Sequence, residues 1–240
     1  MSKQQGKWTL ALERSSRPPT MALFFDDECV CEREFPPMAA HGSTAWAGAL
    51  RDILDEHGIA AGELSLLVAG LGPGSFSGAR SAIAFLHGLA IPDSIPIAGV
   101  CSAAAAAFAE ARNNGAPRIV AVAGNARRNS GWRAVFEIDD APGKPFGLSL
   151  SVLKDGAKRA PAHNAGDFDL VAPDENALHA GVPEGAKWLE VEALAAPGLA
   201  PAMTVPTARQ AGELALSDLS ATVAAPVPIY LHPAVLRPAT

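Results

Sequence analysis

The pattern of hydrophobic and polar positions is most regular between Leu66 and Ala90. An apolar run over 66–69 leads into a glycine-rich loop, and a longer apolar segment begins at Ala79. A short apolar run bounded by turn residues is typical of a buried strand, whereas an apolar segment of three turns is typical of a helix. The pattern therefore predicts a strand over 66–69 and a helix over 79–89.

Before this stretch the sequence predicts three strands and an amphipathic helix. Polar turns separate the three strands, which favours an antiparallel arrangement. These strands cover 8–12, 20–25 and 29–35. In the segment 43–57, Trp46, Leu50, Ile53 and Leu54 have the spacing of one stripe along a helix.

After Ala90 the chain continues with alternating strands and helices and then becomes less regular. The predicted strands cover 94–100, 118–123, 132–138, 148–153 and 187–191, and the predicted helices cover 102–112, 174–180 and 207–216. The first half has the order βββαβαβα, and strands that alternate with helices predict a mixed α/β fold.

Composition and charge narrow the class of protein. The 240 residues are 49% hydrophobic and 18% charged, which predicts one large globular domain or two small ones. The net charge of −6 argues against binding of an RNA backbone by this chain alone, because binding of phosphates needs clustered Lys and Arg.

The sequence also gives expectations about location. No stretch approaches the ~18 consecutive apolar residues of a membrane span. The N-terminus lacks a small-residue cleavage site, and the three cysteines form no CxxC pair. We therefore expect a cytoplasmic protein with reduced thiols and no membrane contact.

The glycine-rich loop is the main candidate for ligand binding. Its glycines allow a sharp turn, and the two serines are placed to cap the following helix. The positive end of that helix would then favour an anion. A tight turn without any ligand is the alternative. The candidate loop residues are Gly72, Gly74, Ser75, Ser77, Gly78 and Arg80.

Three well-known motifs do not fit this loop. A P-loop needs Lys and then Ser or Thr after its last glycine, but Ala79 and Arg80 follow here. The dinucleotide fingerprint fails because Ser75 stands where its last glycine would be. A nucleophile elbow fails because Phe76 occupies its central position.

The segment GPGSFSGAR, followed by an alanine-rich helix, GLA and GVCS, resembles the signature of the TsaB (YeaZ) family. The segment PIYLH (228–232) is similar to that family's closing Pro-x-Tyr-Leu-Arg. Members of this family are non-catalytic partners in making threonylcarbamoyladenosine on tRNA, and they were formerly described as M22 glycoprotease-like.

This resemblance implies a two-lobed α/β fold of the actin, sugar-kinase and Hsp70 (ASKHA) type, with mixed sheets flanked by helices. Residues 1–105 would form the N-terminal lobe, which carries the glycine loop and the dimerisation helices. Residues 106–240 would form the C-terminal lobe.

Several positions depart from what the resemblance implies for chemistry. In the phosphate hairpin of the superfamily, Glu13, Arg14 and Ser15 stand where an Asp-Thr-Ser-like sequence is usual. Asn125 stands where the second hairpin usually has aspartate. His41 has no second histidine four residues later, so the His-x-x-x-His metal pair of the TsaD family is broken. We expect no metal site and no independent catalysis.

The resemblance also implies a docking face on the two helices that flank the loop. The candidate interface residues are Trp46, Leu50, Ile53, Ile83 and Leu86. Burial inside the domain is the alternative, and only some of the five can point outward. On the docking hypothesis, Leu50→Asp or Ile83→Asp abolishes pairing while the monomer stays folded.

The implied partners are a TsaD-like catalytic subunit and a TsaE-like ATPase, with tRNA reached only through the complex and a homodimer as a further option. No cofactor is required, and a nucleotide at the complex interface is left open. An ATP-using transferase or kinase is the alternative function, with Asp26, Asp27, Asp139 and Asp140 as available carboxylates. A zinc metallopeptidase is disfavoured because the histidines have no HExxH spacing.

Overall fold

The computed structural model describes residues 6–35, 44–115, 119–159, 165–172, 175–191, 204–218 and 221–231. The strands in this part of the chain are β1 (Trp8–Glu13), β2 (Thr20–Phe25), β3 (Glu28–Glu34), β4 (Leu64–Gly70), β5 (Ile97–Val100), β6 (Ile119–Arg127), β7 (Ser130–Asp140), β8 (Leu148–Lys154), β9 (Ala157–Arg159), β10 (Asp169–Val171), β11 (Lys187–Glu190) and β12 (Thr222–Val223). The α-helices are α1 (Thr44–His57), α2 (Phe76–Ala90), α3 (Ser102–Asn114), α4 (Glu175–His179) and α5 (Ala208–Ser217).

The first sheet has the strand order β12-β5-β4-β1-β2-β3. Strands β1, β4 and β5 run parallel to one another, while β2 and β3 add an antiparallel edge. The register places Leu12 opposite Ala69 and Gly70 opposite Val100. The carboxyl ends of the three parallel strands therefore meet at one edge, which is where open α/β sheets commonly bind ligands.

The second sheet has the order β11-β6-β7-β8-β9, and β10 pairs with the first part of β7. Strands β6 to β9 are antiparallel, and β11 joins β6 in parallel. Helix α3 packs on β6, β7 and β8, whereas α5 packs on α3 and on the first sheet. These two helices thus lie between the two sheets.

Helix α5 is fixed to the first sheet at its N-terminus. Thr207 is its N-cap and forms a capping box with Gln210, and the amide of Ala208 donates to the Thr20 hydroxyl at 2.7 Å. In the C-terminal half of α5, the buried carboxylate of Glu213 forms a salt bridge with Arg112 of α3. Helix α5 and strand β12 thus return the chain to the first sheet. The boundary between the two lobes at residue 105 stays a prediction.

The mixed α/β architecture with two helix-flanked sheets confirms the predicted fold class. Helix α2 begins at Phe76 rather than Ala79, because Ser75 caps it. From its place at the start of the predicted segment 102–112, Ser102 was the expected N-cap of α3, but Cys101 is the N-cap and Ser102 lies inside the helix. The sequence also missed the short strands β9, β10 and β12.

None of the helices in the described part of the chain is long and apolar enough to cross a membrane.

Candidate functional site

The glycine loop packs against the chain's own first hairpin. A Cβ at Gly78 would lie 2.0 Å from the carbonyl oxygen of Arg14, and one at Gly74 would lie 2.4 Å from the carbonyl oxygen of Ser15. Both distances are far below van der Waals contact. Glycine is therefore required at these positions because the β1–β2 hairpin approaches the loop so closely.

Hydrogen bonds hold the loop and the hairpin together. The amide of Ser75 donates to the carbonyl oxygen of Ser15 at 2.7 Å. The Ser75 hydroxyl accepts from the amide of Gly78 at 3.2 Å, so the predicted capping role of Ser75 is confirmed. Ser77 instead lies exposed inside the first turn of α2 rather than at its cap.

Glu13 is completely buried where the three parallel strands end. One carboxylate oxygen accepts from the amide of Ser15 at 2.5 Å and from its hydroxyl at 2.7 Å, and the other accepts from the hydroxyl of Ser102 at 2.5 Å. A Cβ at Gly70 would lie only 1.9 Å from that second oxygen. Burial raises the pKa of Glu13, against the lowering effect of these hydrogen bonds.

Ser102 links this buried carboxylate to the glycine loop. Its hydroxyl accepts from the amide of Gly72 at 3.0 Å while it donates to Glu13. Residues at the phosphate hairpin position thus serve to join β1, the loop and α3 to one another.

The Arg14 side chain turns away from the cleft between the sheets. Its guanidinium lies 4.1 Å from the centroid of the Trp46 ring and donates to the Ser81 hydroxyl at 2.5 Å. The cation that the sequence places at the phosphate hairpin therefore joins the hairpin to α1 and α2.

Arg80, the cation predicted to serve the loop, also lies elsewhere. Its guanidinium is 5.3 Å from the centroid of the Phe76 ring. Phe76 in turn contacts Tyr230, with ring centroids 4.1 Å apart. Arg80 thus contacts the first turn of its own helix, and Phe76 contacts the C-terminal segment.

A cavity of about 240 Å³ remains open between the first hairpin, the glycine loop and the second sheet. Of the predicted loop residues, Gly74 and Ser75 line it, whereas Gly72, Ser77, Gly78 and Arg80 do not. The polar residues and glycine that line it are Ser15, Ser16, Arg17, Gly74, Ser75 and Arg127. Arg17 was missed because its only local signal was its place in a polar turn.

The second hairpin brings Arg127 to this cavity. Arg127, Arg128 and Asn129 all have positive φ angles, between 50° and 70°. The Asn125 side chain accepts a hydrogen bond from the amide of Arg127 at 2.7 Å. A neutral amide thus supports the turn at the position where the resemblance implies a carboxylate.

The four carboxylates of the alternative enzyme hypothesis are not gathered at this cavity. Asp26 accepts from the amide of Lys7 in the β2–β3 turn, and Asp139 near the end of β7 pairs with Lys158. The described residues contain no group of three His, Cys, Asp or Glu side chains that could hold a metal ion. His41 lies outside the described residues.

The five candidate interface residues are all buried within this chain. The least buried is Ile83, which is 8% exposed. Trp46 lies against Phe35 and Phe85, with ring centroids 6.1 Å and 5.9 Å apart. The five residues are Trp46, Leu50, Ile53, Ile83 and Leu86, and of these Leu50 also lines the groove described next. Their assignment to an interface stays a prediction.

The surface left between α1 and α2 is an apolar groove of about 580 Å³. We call it the α1/α2 groove. Its lining consists mainly of small and apolar residues, with Arg51 and Asp55 as its charged members. Residues that line it include Ala47, Ala84, Phe85, Gly88 and Leu89.

Comparisons with known proteins support the resemblance seen in the loop. A family model described as "TsaD: tRNA N6-adenosine threonylcarbamoyltransferase" matches residues 35–144. The chain is 35% identical over 91 residues to the Escherichia coli (strain K12) tRNA threonylcarbamoyladenosine biosynthesis protein TsaB. The predicted resemblance to the TsaB (YeaZ) family is confirmed. The matched part covers 38% of this chain and 39% of that relative.

Two solved structures are similar over nearly the whole chain. One is YeaZ from Pseudomonas aeruginosa, with a TM-score of 0.66, and the other is a Pseudomonas aeruginosa protein described as similar to peptidase YEAZ, with a TM-score of 0.68. Each is 23% identical and aligns over 94% of this chain and 100% of its own. At this identity the similarity shows the fold alone, which is the mixed α/β fold of these two structures.

Proposed function

We propose that this chain acts in the biosynthesis of threonylcarbamoyladenosine on tRNA as a non-catalytic subunit that pairs with a TsaD-like catalytic subunit. The TsaB resemblance supports the pathway. The observation that carries the pairing is the α1/α2 groove, because a mostly apolar groove between two helices is a common form of docking site for a partner helix.

The groove has the shape and composition of a helix-docking site. Ala84 and Gly88 are one turn apart on α2 and both are exposed. A Cβ at Gly88 would meet nothing within 4 Å, so the backbone of a partner helix can come close here. Arg51 and Asp55 at the same groove provide charged contacts that can fix the register of that helix.

We propose a non-catalytic role because the side chains of the first hairpin already bind other residues of this chain. The Glu13 carboxylate is occupied by Ser15 and Ser102, and Arg14 is held by Trp46 and Ser81. The chain would act by stabilising the TsaD-like subunit. A TsaE-like ATPase and tRNA would bind to the assembled complex rather than to this chain alone.

Replacement of Gly88 by arginine tests the pairing. The space around Gly88 accepts a side chain, and arginine favours helix more than glycine by up to about 1 kcal/mol, so the monomer should keep its stability. The long cation would block the α1/α2 groove. We expect Gly88→Arg to lose binding to the TsaD-like protein of the same organism, measured by titration calorimetry on purified proteins.

Gly48→Arg is the matched control. Gly48 lies in α1 and does not line the groove, and a Cβ added there would meet nothing within 4 Å. We expect this variant to bind like the wild type. Unchanged binding by folded Gly88→Arg, or no binding by the wild type, would refute the docking assignment. Sedimentation of the wild type and of Gly88→Arg, each without the partner, shows whether a second copy binds through the same groove.

A further inference from the structure

Another cavity, with a volume of about 580 Å³, lies where the three parallel strands of the first sheet begin. It is lined by Lys7 before β1, Ser65 in β4 and Pro96 before β5, together with residues of α5 and of the β7–β8 connection. We call it the basal pocket. Its described lining shares no residue with the glycine loop or with the α1/α2 groove. It is therefore separate from the surface of the proposed pairing.

Two parts of the chain supply the apolar lining of the basal pocket. Leu66 and Pro96 belong to the first sheet and its connections, whereas Pro145 lies between β7 and β8 and Leu216 lies in α5. Removal of such surface from water favours a ligand with an apolar body. The volume of the pocket lies within the roughly 300–1,000 Å³ of sites that bind small organic molecules.

Thr9 gives the basal pocket an unused polar group. The residue is only 2% exposed and lines the pocket, and its hydroxyl has no hydrogen-bond partner among the described residues. The hydroxyl of the neighbouring Ser65 is already used, because it donates to the carbonyl oxygen of Trp8 at 3.1 Å. A nearly buried hydroxyl without a partner costs free energy. A ligand that donates a hydrogen bond to Thr9 would remove this cost.

A β-bulge shapes the first sheet at the same place. Trp8 lies opposite Leu64 and Thr9 lies opposite Leu66, so Ser65 is an extra residue in β4. Bulges change the direction of nearby side chains and are frequent beside functional sites. The three residues at this bulge, Thr9, Ser65 and Leu66, all line the basal pocket.

The charged residues of the basal pocket favour a cationic ligand. Two carboxylates, Asp26 and Asp27, line it with one ammonium group, that of Lys7. Asp26 accepts a hydrogen bond from the amide of Lys7 at 2.9 Å. Asp27 is exposed and has no hydrogen bond or ion pair with any residue that the structure describes. Its carboxylate can therefore pair with a cation from outside the chain.

We propose that the basal pocket binds a small amphipathic amine. The apolar body of the ligand lies against Leu66, Pro145 and Leu216. Its ammonium group donates to the hydroxyl of Thr9 and pairs with the carboxylate of Asp27. One ammonium group can do both, because it carries several N–H donors and a hydroxyl oxygen can accept.

Three compounds that share one ring and differ in the charge of the head group test this proposal. They are cyclohexylmethylamine, cyclohexylmethanol and cyclohexanecarboxylate. Each is titrated into the purified full-length chain, labelled with ¹⁵N, while the amide resonances are followed by NMR. We expect the amine to shift the resonances of Ser65 and Leu66 and to bind about fivefold more tightly than the alcohol, with the carboxylate weakest.

Two results of these titrations would overturn the proposal. The first is an affinity for the amine that does not exceed the affinity for the alcohol. The second is a set of shifts confined to residues such as Ala84 and Gly88, because the amine would then lie in the α1/α2 groove.

Variants of the two polar residues test their roles. Asp27→Asn should reduce the affinity for the amine to that for the alcohol. Thr9→Val should weaken binding of the amine by about threefold or more without lowering the melting temperature, because the wild-type hydroxyl has no partner to lose. Asp52→Asn, at an exposed acid of α1, is the control and should bind like the wild type.

Wild-type affinity for the amine in folded Asp27→Asn, or in folded Thr9→Val, would also overturn the proposal. Thermal melting shows that each variant is folded. None of these results depends on pairing with a TsaD-like subunit.

Discussion

The guanidinium of Arg14 lies 4.1 Å from the centroid of the Trp46 ring, which joins the first hairpin to helix α1. The same side chain donates to Ser81 of α2. One residue thus connects the two helices that form the α1/α2 groove. A cation on an aromatic face contributes about 0.5–2 kcal/mol, depending on how far it is shielded from water.

Replacement of Arg14 by alanine should lower the free energy of unfolding by about 1–3 kcal/mol, since both the ring contact and the Ser81 hydrogen bond are lost. Arg14→Lys should recover only part of this, because an ammonium group cannot stack as a planar guanidinium does. Urea unfolding measures both changes. Arg51→Ala is the control and should change stability by less than about 0.5 kcal/mol. If Arg14→Ala also changed the free energy of unfolding by less than about 0.5 kcal/mol, the contact between Arg14 and Trp46 would not stabilise the fold.

Glu13→Gln should alter how stability depends on pH. Burial raises the pKa of Glu13 in the folded chain, so the folded state binds a proton more tightly than the unfolded state. The resulting stabilisation is complete below the ordinary glutamate pKa and is lost as pH rises through the folded pKa. Glutamine does not titrate. The variant should therefore gain stability relative to the wild type as pH rises.

Urea unfolding of both proteins at about pH 4 and about pH 7.5 measures this difference. A difference in unfolding free energy that stays constant between the two pH values would mean that Glu13 has the same pKa in both states. Ser102→Ala is a useful companion variant, because it removes one hydrogen bond that favours the charged carboxylate. It should raise the pKa of Glu13 further.

Gly78→Ala should destabilise the chain although alanine is the better helix former. The added Cβ would lie 2.0 Å from the carbonyl oxygen of Arg14, so the hairpin and α2 must separate. We expect a loss of about 1–3 kcal/mol or more, as for other overpacked sites. Gly48→Ala, which has open space around it, should gain about 0.5–1 kcal/mol. Equal effects of the two substitutions in thermal unfolding would contradict this account of the loop.

Leu50→Asp should unfold or strongly destabilise the monomer, contrary to the expectation from sequence that it stays folded. Leu50 is 6% exposed, so aspartate would place an unpaired charge in the core and remove apolar contacts. We expect a loss of at least about 3 kcal/mol. Ala47→Asp is the matched exposed substitution on the same helix, and its far-UV circular dichroism and melting curve should remain like those of the wild type. A stable Leu50→Asp monomer would show that Leu50, which also lines the α1/α2 groove, is not required for the packing of the core.

Much of the architecture could be predicted from the sequence, because the signals are local. The apolar run before the loop, the turn residues of the first hairpin and the capping position of Ser75 act over a few residues. They located strands β1 to β5 and helix α2 to within a few positions. The short strands β9, β10 and β12 were missed because pairing with distant strands, rather than their own composition, defines them.

The sequence by itself determined the order of the elements, the glycine loop and the family resemblance, since periodicity and turn chemistry depend on near neighbours. Only the tertiary structure decided what those features contact. The stripe on α1 was correctly predicted as apolar, yet Phe35, Phe85 and Arg14 cover it inside the chain. An amphipathic pattern specifies that a face is buried, but the surface that buries it comes from residues far away in the chain.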